Sequence, residues 1–317
     1  IIAHLFDFPK YMGSRHSVVR QESKSFAVYH LDLLYEEWCI EVKDLASDDS
    51  HEHQLTHVMH IKKKDDSPFA VQEGRDVIKA LHTFFTFAKG SRSNVLCPSG
   101  FNQSGKKVWQ EWSSPSRLEQ VSTWFDKRNA QQLNTLFPLF MELWDNKDWR
   151  EAFDEINYWY TSASISSRGI DVGIILTQSA IERLSYEYVV KDKKLLSAKG
   201  FRDLRASDKY RLLFSSLNIP IEISEDTPEI KQVANKYRWE DLPHALTEIR
   251  NALIHPESKN RNDFRAVYFE AWKVGLWCLE LGMLAVCGYR GTYSNRLTVE
   301  YVGQVERVPW ADREESI

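Results

Sequence analysis

A chain of 317 residues suggests two domains, and 43% hydrophobic with 13% aromatic residues, including 11 Trp, are ample for real cores. The formal net charge of −4 excludes a generic polyanion binder, so any nucleic-acid contact must be local. Four scattered cysteines, Cys39, Cys97, Cys278 and Cys287, form no Cys-x-x-Cys pair. They exclude a disulfide framework or a cysteine zinc site and point to a reducing, cytoplasmic compartment. The chain opens Ile1-Ile2-Ala3-His4 without Met or a signal peptide, which reads as a fragment of a longer protein.

In chain order, Ser25–Leu31, Glu37–Leu45 and Leu55–Lys62 are rich in Val, Ile, Tyr and Trp with partial alternation, and predict strands. Ala70–Ala88 predicts a helix, with Val77, Leu81, Phe84 and Phe85 on one side and Gly90 as its stop. Asn94–Cys97 and Lys106–Trp112 predict two further strands across the turn-rich stretch Pro98–Gly105. These elements make an α+β N-terminal module over residues 1–115. Ser113–Ser116 reads as a linker. From there the apolar period changes from 2 to 3.6, predicting helices near 117–124, 127–143, 147–165, 168–191, 206–217, 228–237, 241–255 and 263–288. An all-α domain is therefore expected over 116–290, followed by a C-terminal extension, 291–317, with short strands.

The helix Leu242–His255 organises the second half. Asp241 is a cap residue and Pro243 suits the first turn. Leu242, Leu246, Ile249 and Leu253 make the apolar face, with His244, Glu248, Asn251 and His255 opposite. Pro256 biases His255 away from helical angles, so the helix should stop there. Arg250 lies at the edge of the apolar face. Arg250 and His255 are about 140° apart around a straight helix. A kink at His255, or a second subunit, is needed to bring both to one phosphate.

The run Arg250-Asn251-Ala252-Leu253-Ile254-His255 has the form Arg-polar-x3-His and resembles the Arg-x4-6-His motif of the HEPN superfamily. It closes a penultimate long helix and precedes another long helix. The earlier segment Ile174–Leu184, which contains Glu182, is similar to the corresponding segment of the ApeA-like HEPN group. The resemblance covers roughly residues 125–290, with a looser likeness of the N-terminal half to the module that precedes HEPN in ApeA-type proteins. It implies an all-α HEPN helical bundle, metal-independent endoribonuclease activity, a composite site across a homodimer, and a setting in antiviral defence or growth arrest. RNA, with tRNA among the candidates, is the implied substrate.

In that reading His255 does the proton work as the ribose 2′-OH attacks the adjacent phosphate, and Arg250 stabilises the phosphorane with its guanidinium fork. Asn251 holds the phosphate or the imidazole, with Glu182 and Glu248 in support. The competing interpretation is a satisfied histidine at a helix end and, for Glu182, a structural salt bridge. Between Lys191 and Arg211, eight cations face three acids. Lys193, Lys194 and Arg202, with Lys259 and Arg261 beyond the motif, are candidate phosphate contacts, set against an ordinary solvated surface. His51, His53, His57 and His60 have no cysteine near them and read as a solvated loop rather than a zinc site. Val274–Val286 is too short and too interrupted, by Glu280, for a membrane span. It reads as a core or dimer helix, with Trp272, Leu276, Leu279 and Met283 as one stripe and Val274, Trp277, Leu281 and Leu284 extending it. No metal or cofactor is expected. The alternative to a nuclease is a non-catalytic HEPN module that binds RNA, a nucleotide or a protein partner.

Overall fold

A computed structural model describes residues 1–13, 15–21, 24–45, 55–115, 119, 121–165, 169–255 and 261–312. The chain divides into two compact units, Ile1–Asp145 with Tyr301–Gln304, and Asn146–Glu300 with Val305–Ile317.

The first unit is built on a seven-stranded antiparallel sheet in the order β2-β3-β4-β5-β1-β6-β7. The strands are β1 Ile2–Phe6, β2 Arg15–Gln21, β3 Lys24–Tyr35, β4 Trp38–Asp44, β5 Leu55–Lys63, β6 Val95–Phe101 and β7 Lys107–Gln110. Alternation fixes the faces. Ala3, Leu5, Leu31, Leu33, Ile40, Val42, Met59 and Ile61 are buried, whereas His4, Cys39, Glu41, Lys43, Val58 and His60 between them are not. Helix α1, Val71–Lys89, ends where Gly90 adopts φ 70°, a left-handed conformation that suits glycine. Helix α2, Gln131–Asp145, packs on α1 through Phe84, whose ring lies 5.2 Å from Phe137 and 5.4 Å from Phe140.

Strands β1 and β2 are additions to the sequence reading. The β1 segment is five residues long, and its partner β5 lies more than fifty positions away, so nothing local announces it. Over the helix expected at 117–124, residues 121–124 are not helical, and 117, 118 and 120 lie outside the described residues. The apolar signal there comes from Trp124, which is buried beside α1 and donates from Nε1 to the carbonyl of Phe87 at 3.2 Å. Of the expected linker, Ser113 receives the Cys97 amide on its Oγ at 3.1 Å, and Ser116 lies outside the described residues. The units divide after Asp145, because α2 buries Leu133, Leu136, Phe137 and Phe140 within the first unit.

The second unit is helical: α3 Lys147–Ser164, α4 Ile170–Tyr186, α5 Ala198–Asp203, α6 Ala206–Ser216, α7 Pro228–Tyr237, α8 Leu242–Ile254, α9 Arg261–Phe264 and α10 Tyr268–Val286. A π-helical stretch, Glu187–Asp192, prolongs α4, and a 3-10 turn, Arg265–Val267, separates α9 from α10. Strands β8, Thr292–Tyr293, and β9, Glu306–Arg307, form a small ladder. Helices α4 and α10 lie very close. A Cβ on Gly275 would meet Thr177 Oγ1 at 3.2 Å, and one on Gly282 would meet Leu184 at 2.7 Å.

Helix α10 is buried from Val274 to Leu284, while near its start Trp272 is half-buried and Phe269 is exposed. Val274, Leu276, Trp277, Leu279, Leu281, Met283 and Leu284 are all buried within the one chain. The excess apolar surface expected on this helix for a subunit contact is thus core, as a helix hydrophobic all round should be. Glu280 is also buried. It takes a two-pronged contact from Arg296, Nε to Oε2 at 2.8 Å and Nη2 to Oε1 at 2.5 Å, and accepts from the Tyr160 hydroxyl at 2.5 Å. That triad ties the segment after α10 into the helical unit. No helix among the described residues is long and apolar enough to cross a membrane.

Candidate functional site

The site is built at the C-terminal half of α8. Asp241 starts the helix by accepting the His244 amide on Oδ1 at 2.9 Å, and Pro243 occupies the first turn. Oδ2 of the same carboxylate takes Arg211 Nε of α6 at 2.6 Å. Leu242, Leu246 and Ile249 are buried, as the apolar periodicity requires. The helix ends at Ile254. His255 is extended, φ −99° and ψ 110°, and its amide still reaches the Asn251 carbonyl at 3.0 Å. The proline after it explains that ending.

Arg250 is half-buried between α8 and its neighbours, and its Nε has no hydrogen-bond partner among the described residues. A buried donor left open is uncommon and calls for an explanation. Around it the fold brings together groups far apart in sequence. Gln178 of α4 is 2% exposed and donates from Nε2 to the Leu246 carbonyl at 2.6 Å, while its Oε1 is also unpartnered. The Tyr210 hydroxyl of α6 donates to the Gln178 carbonyl at 2.9 Å. Burial pushes the Tyr210 phenol well above its ordinary range, the charge of Glu182 adds to this and that of Arg250 opposes it. Glu182, Tyr210 and Arg250 therefore share one electrostatic neighbourhood.

Glu182 accepts from Lys209 Nζ at 2.6 Å, so it is engaged by α6. Lys209 is also held over the Phe201 ring at 5.0 Å. Glu248 and Asn251 are half-buried, and no side-chain hydrogen bond holds either among the described residues. His255 is exposed, and no hydrogen bond among the described residues joins it to Arg250. In one chain, then, the arrangement offers a guanidinium whose Nε is open among the described residues and an exposed imidazole. A fork of that kind suits an oxyanion.

Lys193 is exposed, 3.5 Å from Asp192 and above the Tyr188 ring. Lys194, with φ 52°, and Arg202 are exposed and have no ion-pair partner among the described residues. Lys259 lies outside the described residues, as does the side chain of Arg261. His57 is fully buried and His60 is on the opposite side of β5, while His51 and His53 lie outside the described residues. No group of metal-ligating side chains occurs among the described residues. Sequence reasoning missed Gln178 and Tyr210, and read Lys209 as one of the cations of the basic segment, whereas it is paired with Glu182. Gln178 lies inside the segment Ile174–Leu184, but its hydrogen bond to α8 spans 68 positions and has no local signal.

A seven-stranded antiparallel sheet followed by a helical unit defines an α+β protein. The family profile of the YopA C-terminal domain matches residues 146–307, and that of the YopA central domain matches residues 1–123. The chain belongs to the YopA family. It is 29% identical over 264 residues to the SPbeta prophage-derived uncharacterized protein YopA of Bacillus subtilis (strain 168). That alignment covers 82% of this chain and 59% of the relative, so the chain spans somewhat over half of the relative's length. No solved structure matches it significantly.

Proposed function

We propose that the helical unit is a HEPN-type, metal-independent endoribonuclease that cuts RNA by attack of the 2′-OH on the adjacent phosphate. The observation that carries the reading is the half-buried Arg250 with its open Nε, set within the Arg-x4-His spacing that ends at His255. Nearby Lys209 and Arg211 are paired with Glu182 and Asp241. Arg250 is thus the guanidinium left available for a phosphorane. His255 is the acid–base group, with Asn251 beside it and Glu182 and Glu248 supporting. Lys193, Lys194 and Arg202 contribute to the approach of the RNA, with Lys259 and Arg261 further candidates. Arg250 and His255 lie about 140° apart around a straight helix, and the active form in this reading is a homodimer in which two chains complete each site. The surface it uses is distinct from the buried stripe of α10. The relative's prophage origin supports a cytoplasmic role in conflict between phage and host, through antiviral defence or growth arrest.

The test gives purified protein structured RNA with excess chelator. Cutting should proceed, leave a 2′,3′-cyclic phosphate, and nearly vanish in Arg250→Ala and in His255→Ala. Full activity of His255→Ala would remove the mechanism, and a requirement for added divalent ion would point to a metal-bound water. The exposed, unheld His255 also favours a second reading, a non-catalytic HEPN module that binds RNA, a nucleotide or a protein partner. Tight RNA binding without cutting at any protein concentration would select it.

A further inference from the structure

The sheet of the first unit leaves three large apolar side chains of one hairpin in water. On the β6–β7 hairpin Phe101 is 43% exposed, Val108 62% and, just past the last strand residue, Trp112 82%. Trp109 shows what a structural role looks like at the same place. It lies against Gly100, where a Cβ would come within 3.2 Å of its ring. Arg75 sits 5.6 Å above its ring and pairs with Glu111 at 2.7 Å. Phe101 and Trp112 have no ring partner among the described residues. Large side chains left in water at one end of a sheet mark a contact surface.

The charge beside them indicates the kind of partner. Lys106 and Lys107 adjoin Val108, and neither has a carboxylate partner among the described residues; Lys107 reaches only Gln110 Oε1, at 2.5 Å. By contrast, Lys43 and Lys62, farther along the sheet, are paired with Glu41 and Asp66. An apolar protein surface laid over this hairpin would desolvate two unpaired ammonium groups. A single-stranded polynucleotide meets both needs, since its bases stack on aromatic rings and its phosphates take the lysines. Val108 lies in β7 and Trp112 two residues past its end; four residues of extended chain span roughly 13 Å, enough for a run of nucleotides rather than one. A duplex keeps its bases stacked and offers no free ring to an exposed indole.

We propose that the β6–β7 hairpin is a docking platform for single-stranded polynucleotide, with Trp112 and Phe101 stacking on bases and Lys106 and Lys107 holding phosphates. The proposal does not depend on the nuclease reading. It is tested on the full chain with a labelled 2′-O-methyl oligoribonucleotide, which lacks the attacking hydroxyl and is not cut by that mechanism. A deoxyribo-oligomer of the same sequence is the second arm. Binding of either strand should weaken about tenfold in Trp112→Ala, and the stronger of the two names the natural strand. Lys106→Glu with Lys107→Glu should flatten the salt dependence by about one unit of slope per lysine. These side chains are exposed, so unchanged circular dichroism is expected in every variant. Equal affinity of Trp112→Ala and the unaltered chain overturns the proposal. So does binding lost in Arg250→Ala but kept in Trp112→Ala, which would assign it to the helical unit. A concentration-dependent dimer abolished by Trp112→Ala, without any oligonucleotide binding, would also overturn it in favour of a contact between copies.

Discussion

Gln178 donates from Nε2 to the backbone carbonyl of Leu246 at 2.6 Å, one helical turn before Arg250. Tyr210 in turn donates to the carbonyl of Gln178 at 2.9 Å. Helices α4, α6 and α8 are thereby locked by hydrogen bonds at the level where Arg250 leaves α8. Gln178→Ala should lower stability by about 1–3 kcal/mol, through loss of a buried hydrogen bond and the space its side chain fills. An unchanged urea midpoint would show that the three helices are held by apolar packing alone.

The buried triad of Glu280, Arg296 and Tyr160 should behave asymmetrically. Arg296→Met alone leaves Glu280 charged with only the Tyr160 hydroxyl to hold it, and should cost about 3–5 kcal/mol. Glu280→Leu combined with Arg296→Met removes both charges and should be clearly milder than the sum of the two single changes. Strict additivity in chemical denaturation would contradict this account of the pair.

His57 offers a pH-dependent signature. It is fully buried, stacked on Tyr11 with ring centroids 5.0 Å apart, and burial pulls its pKa from 6.5 to about 3. The folded chain therefore keeps it neutral while the unfolded chain takes up a proton below pH 6.5. Its contribution is complete above that value and is lost as the pH falls from about 6.5 towards 3. His57→Gln should flatten the fall in stability across this window. The same slope in both proteins would place the acid sensitivity elsewhere.

Thiol labelling should separate the four cysteines by burial. Cys278 and Cys287 are buried, and desolvation pushes both thiols up, so a thiolate reagent should leave them unmodified in the native protein. Cys39 and Cys97 are only half-buried and should react first. Fast native labelling at Cys278 would mean that α10 opens locally.

The composite-site proposal predicts complementation. Inactive Arg250→Ala and inactive His255→Ala protein, mixed under conditions that allow subunit exchange, should regain part of the cutting activity. Sedimentation as a monomer at assay concentrations with undiminished cutting would sink the dimer.

Much of the helical unit was legible in the sequence because its signals are local. Asp241, Pro243 and Pro256 bracket α8, and the cap bond and the extended His255 appear where those residues place them. The sheet was legible in part. Its longer strands alternate visibly, but β1 is five residues long and is inserted between β5 and β6. A strand of that kind is defined by its partners rather than by its own composition. The apolar excess of α10 was visible, but the side chains that cover it come from helices and loops distant in sequence.

By itself, then, the sequence determined where α8 begins and ends, that Arg250 and His255 diverge on it, and which residues of β4 and β5 alternate. Capping, proline geometry and periodicity act within a few residues, so they can be read along the chain. Only the tertiary structure decided that α10 is core rather than contact surface and that Glu182 pairs with Lys209. Among the described residues it also left Arg250 Nε and Gln178 Oε1 open while Glu182 was satisfied by Lys209. Burial and hydrogen-bond satisfaction depend on what packs alongside, and those partners lie tens of residues away.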